Sequence, residues 1–183
     1  MIFNAITTDY YSRLSSVNKD SKKMANVTNR QAEIGVLILG PLLCFSVVLM
    51  PHIINLLYSN RFLSANCYIQ FATLGMIFRL VSVLMAFQLI VRGLSAVYIL
   101  NEIMACIYSS VLNITGYIFG GLYGMVLSFT VGYTFYFIQM AYITHKKISY
   151  NMSKDLITIT TLQILGVSFC IVCCLLLDVF FII

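Results

Sequence analysis

The chain has 183 residues, of which 61% are hydrophobic and 9% charged, with a formal net charge of +5 and a mean hydropathy of +0.95. Soluble domains carry about 25% charged residues, so this chain has too few charges to cover a surface that faces water. The composition excludes an ordinary soluble domain and predicts an all-α, polytopic bundle of transmembrane helices.

Residues 1–33 begin with a short apolar stretch, MIFNAITT, and continue as a polar segment. That stretch is too short to cross a membrane, which takes about 20 residues, so we expect it to be the end of a preceding helix. We expect the polar segment to be a cytoplasmic loop with some amphipathic helix on the membrane surface, because four apolar residues recur in it near helical spacing. These are Leu14, Val17, Met24 and Val27.

Five apolar segments follow, each with about the 20 residues that a membrane-spanning helix requires. They cover approximately residues 34–58, 68–91, 97–119, 122–143 and 156–177. The joints between them are short, so sequential helices are predicted to be antiparallel neighbours in one bundle over residues 34–183. Pro41 and Pro51 lie in the first segment, and each predicts a kink.

The basic residues predict how these segments are oriented in the membrane. If the first loop is cytoplasmic, nine of the eleven Lys and Arg residues share its side, Arg61 alone is opposite, and Arg79 lies within the membrane. The nine are Arg13, Lys19, Lys22, Lys23, Arg30, Arg92, Lys146, Lys147 and Lys154. The asymmetry supports five segments, because one helix more or fewer would break the alternation.

Arg79 is the first candidate site residue, because it lies near the middle of the second segment. A charge at that depth costs about 2.5–3.5 kcal/mol on insertion scales, and such residues mark functional sites by default. Gly75, Ser82 and Ala86 recur around it at helical spacing, which suits a water-filled cavity or a close helix contact. Two interpretations stay open: a cation that binds a phosphate, for which the planar guanidinium is well shaped, or a structural ion pair.

Glu102 begins a polar stripe on the next segment. The stripe consists of Glu102, Cys106, Ser109, Asn113 and Tyr117, spaced by three or four residues. Polar stripes in a membrane bundle face its interior or a cavity. Glu102 could carry a coupling proton or sodium ion, or it could pair with Arg79, and the sequence leaves both possibilities open.

The sequence offers little material for catalysis. It contains no HExxH, GxSxG or phosphate-loop motif, and it has two His and six acidic residues. We therefore predict that the chain is not an enzyme and has no cofactor or metal. Because topology accounts for the basic residues, we predict no nucleic-acid partner. Cys170 and Cys173 have a redox-like spacing but lack the electropositive surroundings of a reactive thiol.

Four stretches resemble the C-terminal half of bacterial O-antigen flippases, which form the polysaccharide transporter branch of the multidrug/oligosaccharidyl-lipid/polysaccharide exporter superfamily. The stretches are DYYSRLSSV, EIGVLILGPLL, INLLYSNRFLSA and LGMIFRLVSVLMAFQLIVRG. The residues that match family motifs at the first two are Asp9, Tyr10, Tyr11, Arg13, Leu14, Gly40 and Pro41, with Ser12 at a proline position. In the family pattern L-G-D-x-x-K, Gly75 matches, Arg79 replaces the lysine and Met76 replaces the acid.

The resemblance covers roughly residues 5–150 and implies that the chain corresponds to the last five or so helices of a protein about twice as long. Its substrate would be a short glycan on undecaprenyl diphosphate, flipped across the bacterial inner membrane by two lobes that rock against each other. Arg79 and Arg13 would hold the diphosphate or acidic sugars, with Glu102 nearby. Ser82, Asn113 and Tyr117 would bond to sugar hydroxyls.

The implied partners are the lipid-linked oligosaccharide, membrane lipids, and the polymerase and chain-length proteins of polysaccharide assembly. The coupling ion, H⁺ or Na⁺, stays open. Three alternatives remain: a multidrug efflux transporter of the same superfamily, a membrane enzyme of glycan assembly, and a membrane interaction protein that transports nothing. Arg79 argues against the first, and the missing catalytic motifs argue against the second.

Overall fold

The computed structural model describes residues 10–57 and 64–182, which form an all-α bundle without a strand. A short helix, α1, covers residues 10–16. The four long helices are α2 (Ser21–Leu57), α3 (Ser64–Val91), α4 (Ser95–Ile148) and α5 (Lys154–Ile182). Asp9 and Arg61, which the sequence interpretation used, lie outside the described residues.

Within the described residues, four helices are long and apolar enough to cross a membrane. The longest, α4, has 54 residues, and as a straight rod it would measure about 80 Å against a hydrocarbon core of about 30 Å. It is not straight, because its backbone reverses at Gly121. The first arm (95–120) and the second arm (122–148) run antiparallel, as the bond from Asn101 Nδ2 to Met140 Sδ at 3.4 Å shows. The predicted all-α bundle is confirmed, and the five predicted segments correspond to α2, α3, the two arms of α4, and α5.

Glycines make this reversal possible. Gly121 has φ 59° and ψ −140°, a conformation that is essentially restricted to glycine. Gly116 and Gly124 let the two arms meet, since a Cβ on Gly124 would lie 2.0 Å from the Gly116 carbonyl oxygen. The Gly120-Gly121 pair, predicted as a joint, is therefore a sharp turn between two tightly packed arms.

Helix α2 begins at Ser21, well before residue 34, where the predicted segment starts. Asp20 caps it, because its Oδ1 accepts hydrogen bonds from the backbone N–H groups of Lys22 at 3.0 Å and Lys23 at 3.2 Å. The Lys23 bond is the main reason that the pKa of the Asp20 carboxyl lies below its ordinary value. The polar residues 21–33 are thus the first turns of α2 and not a loop.

The apolar residues that were predicted to lie on the membrane surface pack against protein. Leu14 and Met24 are fully buried in the core of the bundle. The interpretation that this face rests on the membrane surface is therefore wrong for these residues, because the bundle covers them.

Tyr10 attaches α1 to the bundle. Its hydroxyl donates to the Leu84 carbonyl at 2.9 Å and lies 2.9 Å from the Thr28 hydroxyl. Its ring meets the edge of Phe87 at 6.0 Å, and Tyr11 contacts the same ring at 6.3 Å. Burial raises the pKa of the Tyr10 phenol. The Tyr-Tyr pair of the motif thus has a structural role in docking α1 onto α3.

Helix α3 is the central helix, packed against α2, α4 and α5. Its basic end lies beside the start of α2, since Arg92 Nη2 donates to Ser21 Oγ at 2.5 Å. Asn29 of α2 donates in turn to the carbonyl of Asn151, in the loop between α4 and α5, at 3.2 Å. All the basic residues predicted to be cytoplasmic are therefore gathered at one end of the bundle.

Candidate functional site

A partly open cavity of about 520 Å³ lies between α3 and the two arms of α4. Its volume falls in the range of about 300–1,000 Å³ that is typical of small-molecule sites. Its polar lining residues are Arg79, Tyr98, Glu102, Cys106, Tyr108, Ser109, Ser110, Asn113, Tyr133 and Tyr136. The structure thus brings Arg79 of α3 to the same place as the polar stripe of α4, except for Tyr117.

Arg79 is held by a tyrosine. Its Nη1 donates to the Tyr133 hydroxyl at 2.8 Å, and its guanidinium carbon lies 5.4 Å from the centroid of the same ring. The Tyr133 ring packs edge-on against Phe129 at 4.6 Å. Gly75 leaves room for that ring, because a Cβ there would lie 3.0 Å from Tyr133 Cδ2. The small residue one turn before Arg79 therefore serves a close helix contact, one of the two predicted possibilities.

Glu102 is held by a second tyrosine, since the Tyr136 hydroxyl donates to Glu102 Oε1. Tyr133 and Tyr136 lie one turn apart on the second arm of α4. Arg79 and Glu102 line the same cavity, yet as far as the structure describes the chain they form no salt bridge with each other. The Arg79–Glu102 ion pair, one of the possibilities that the sequence left open, is thus replaced by two separate bonds to tyrosines.

Two lining residues have polar atoms without partners. Asn113 Oδ1 and the Tyr108 hydroxyl are buried, and neither has a hydrogen-bond partner among the described residues. Buried polar groups in folded proteins are nearly always hydrogen-bonded. Because both atoms are covered by protein, a ligand in the cavity could bond to them only after these side chains rotate.

Three predicted site residues lie outside the cavity. Ser82 is fully buried and donates to the Phe78 carbonyl at 2.7 Å. Tyr117 is exposed on the first arm of α4, and Arg13 is exposed on α1 at the basic end. The structure therefore separates these three residues from Arg79, Glu102 and Asn113.

Helix geometry explains why Ser82 and Tyr117 fall outside. With 3.6 residues per turn, each residue advances the helix by about 100°. Tyr117 points about 60° from Glu102, within the range of directions that the lining residues of this arm cover, so it lies outside because it is one turn farther along the arm than Asn113. By the same arithmetic Ser82 lies about 60° from Arg79, and Ala86, which lines the cavity, about 20°.

Tyr133 and Tyr136 are site residues that the sequence analysis did not single out. The available signal was their position in the middle of the fourth segment, three residues apart. Tyrosines that merely anchor a membrane helix at the lipid–water interface lie near the ends of the segment. A tyrosine hydroxyl within a membrane needs a hydrogen-bond partner. Their pairing with charges on two other segments depends on the α4 reversal and cannot be read from local spacing.

The described residues contain no group of three or more His, Cys, Asp or Glu side chains that could hold a metal ion. No family model, curated protein or solved structure matches this chain. The function is therefore argued from the cavity, the membrane-spanning helices and the motif resemblance.

Proposed function

We propose that this chain is the C-terminal part of a flippase that moves undecaprenyl-diphosphate-linked oligosaccharides across the bacterial inner membrane. The observation that carries the proposal is an arginine in the middle of a membrane helix that faces a polar cavity and has no carboxylate partner in the part of the chain that the structure describes. The resemblance of the flanking stretches to O-antigen flippases supports the same function.

The physical task of such a protein is to pass a charged, hydroxyl-rich headgroup across an apolar slab. Arg79 lies 12 residues before the end of α3 at Val91, which places it about 18 Å from the basic end of the bundle. A guanidinium at that depth offers a bidentate site for a phosphate. Ser109 and Asn113 supply hydrogen-bonding groups for sugars in the same cavity.

The flippase function requires no bond to be made or broken, so it needs no catalytic group. Transport would use a second lobe that rocks against this one. The polymerase and chain-length proteins would receive the flipped units. Coupling to H⁺ or Na⁺ through Glu102 belongs to the same proposal.

The test uses the chain in detergent and two probes that share one tail, geranylgeranyl diphosphate and geranylgeraniol. We expect the diphosphate to bind more tightly than the alcohol, and Arg79→Ala to weaken its binding ~10- to 100-fold, the effect of losing hydrogen bonds between charged groups. Lys147→Ala, which removes an exposed charge at the basic end, should bind as the unaltered chain does. Native mass spectrometry measures all four affinities, and equal diphosphate binding by Arg79→Ala would overturn the proposal.

A second candidate is a multidrug transporter, which the aromatic lining and Glu102 favour. Tyrosine faces and a carboxylate attract lipophilic cations. In that case tetraphenylphosphonium should bind, Glu102→Gln should weaken its binding, and Arg79→Ala should strengthen it. The flippase proposal predicts that the diphosphate is the preferred ligand.

A further inference from the structure

We infer that Tyr133 and Tyr136 are positioning residues that hold Arg79 and Glu102 apart, so that the guanidinium stays available to a ligand phosphate. This inference deepens the proposed function and rests on it, because it takes the ligand to be anionic. It assigns a role in anion selectivity to two side chains that do not themselves carry charge.

The starting observation is that opposite charges share a cavity without pairing. Opposite charges attract each other, so Arg79 and Glu102, which line one cavity, would be expected to pair. Each is instead bonded to its own tyrosine, Arg79 to Tyr133 and Glu102 to Tyr136. The two tyrosine bonds thus account for the separation.

The tyrosines are suited to this role by their placement. They lie one turn apart on a single rigid arm, while Arg79 belongs to α3 and Glu102 to the first arm of α4. The Tyr133 ring is held by its edge-on contact with Phe129 and by its close packing over Gly75. The distance between the two hydroxyls is therefore set by the backbone of the arm and not by the charges.

The separation leaves the guanidinium with unused donors. An arginine has five N–H donors, and the bond to Tyr133 comes from Nη1 at 2.8 Å. A carboxylate paired bidentately with Arg79 would occupy the fork that a phosphate uses. Glu102 would then compete with the ligand, and Tyr136 prevents this by holding the carboxyl.

The test compares variants of the whole chain in detergent, with geranylgeranyl diphosphate as the probe. We expect Tyr133→Phe to weaken binding ~10-fold, because Arg79 loses its hydrogen bond and turns towards Glu102. We expect the double variant Tyr133→Phe/Glu102→Gln to recover to within ~3-fold of the unaltered chain, because the competing charge is gone. Tyr123→Phe, an exposed tyrosine on the same arm, is the matched control and should bind normally.

The rescue separates positioning from packing. If Tyr133 only filled space, Glu102→Gln would not restore binding, and a double variant as weak as Tyr133→Phe would overturn the inference. Tyr133→Phe binding at full strength, alongside loss in Arg79→Ala, would overturn the inference and leave the proposed function standing. Arg79→Ala binding at full strength would instead remove the proposed function and the inference with it.

Discussion

Replacing Gly124 with alanine should break the contact between the two arms of α4. The added Cβ would lie 2.0 Å from the Gly116 carbonyl oxygen, whereas ordinary van der Waals contact begins at 3.4 Å. The arms would have to separate by the difference, 3.4 − 2.0 = 1.4 Å. A backbone oxygen cannot rotate away as a flexible side chain can, so the strain falls on the hairpin itself.

The expected cost follows from overpacking in other proteins, which is about 1–3 kcal/mol. Alanine is a better helix former than glycine by up to about 1 kcal/mol, which offsets part of it. We expect Gly124→Ala to lower the free energy of unfolding by a net ~0–2 kcal/mol, and by ~1–3 kcal/mol relative to a glycine-to-alanine change in open space, where only the helix propensity changes. The assay is unfolding in mixed micelles by increasing sodium dodecyl sulfate, followed by circular dichroism.

Two control variants use glycines in open space. A Cβ on Gly120 or Gly166 meets nothing within 4 Å, so Gly120→Ala and Gly166→Ala should be neutral or slightly stabilising. Gly120 is the closer match, since it lies in the same helix beside the turn. If Gly124→Ala proves as stable as Gly120→Ala, the close contact of the arms, and with it the placement of Tyr133 and Tyr136, is refuted.

Two further predictions test the packing around α3. The Cys44 and Cys170 thiols contact each other between α2 and α5, so a variant with only these cysteines should form an intramolecular disulfide with copper phenanthroline and oxygen, seen by non-reducing electrophoresis. A variant with only Cys44 and Cys106 should not, and equal yields would contradict the helix arrangement. Burial raises the pKa of the Tyr10 phenol, whereas the phenol of the unfolded chain ionises at about pH 10. The buried Tyr10 therefore contributes its full stability below about pH 10, and this contribution is lost as the pH rises towards the pKa of the folded state. Tyr10→Phe should therefore lose less stability than the unaltered chain between pH 9 and 11 in the same unfolding assay, and parallel losses would contradict this.

The number of helices could be predicted from the sequence because lipid imposes a simple length requirement. The Gly120-Gly121 joint could also be predicted, since few residues other than glycine permit so abrupt a turn. The early start of α2 could not be predicted, because residues 21–33 are too polar to look like part of a spanning segment. They are helical because Asp20 caps them and Met24 is buried against the bundle.

The charged residues of the candidate site could be picked out from the sequence. Arg79 and Glu102 stand out in apolar segments, and the structure places both in one cavity. Their separation was not predictable, because it depends on Tyr133 and Tyr136 reaching them from a third segment. Hydropathy identifies which residues are costly in a membrane, whereas three-dimensional packing decides which partner each one finds.

Cys106 provides a direct reporter of diphosphate binding to Arg79, because it lines the same cavity and is exposed. The measurement is the rate at which a water-soluble thiol reagent labels a variant that keeps Cys106 as its single cysteine. We predict that geranylgeranyl diphosphate slows this labelling, that geranylgeraniol does not, and that Arg79→Ala abolishes the protection. Labelling that the diphosphate leaves unchanged, or slows equally without Arg79, would contradict the account.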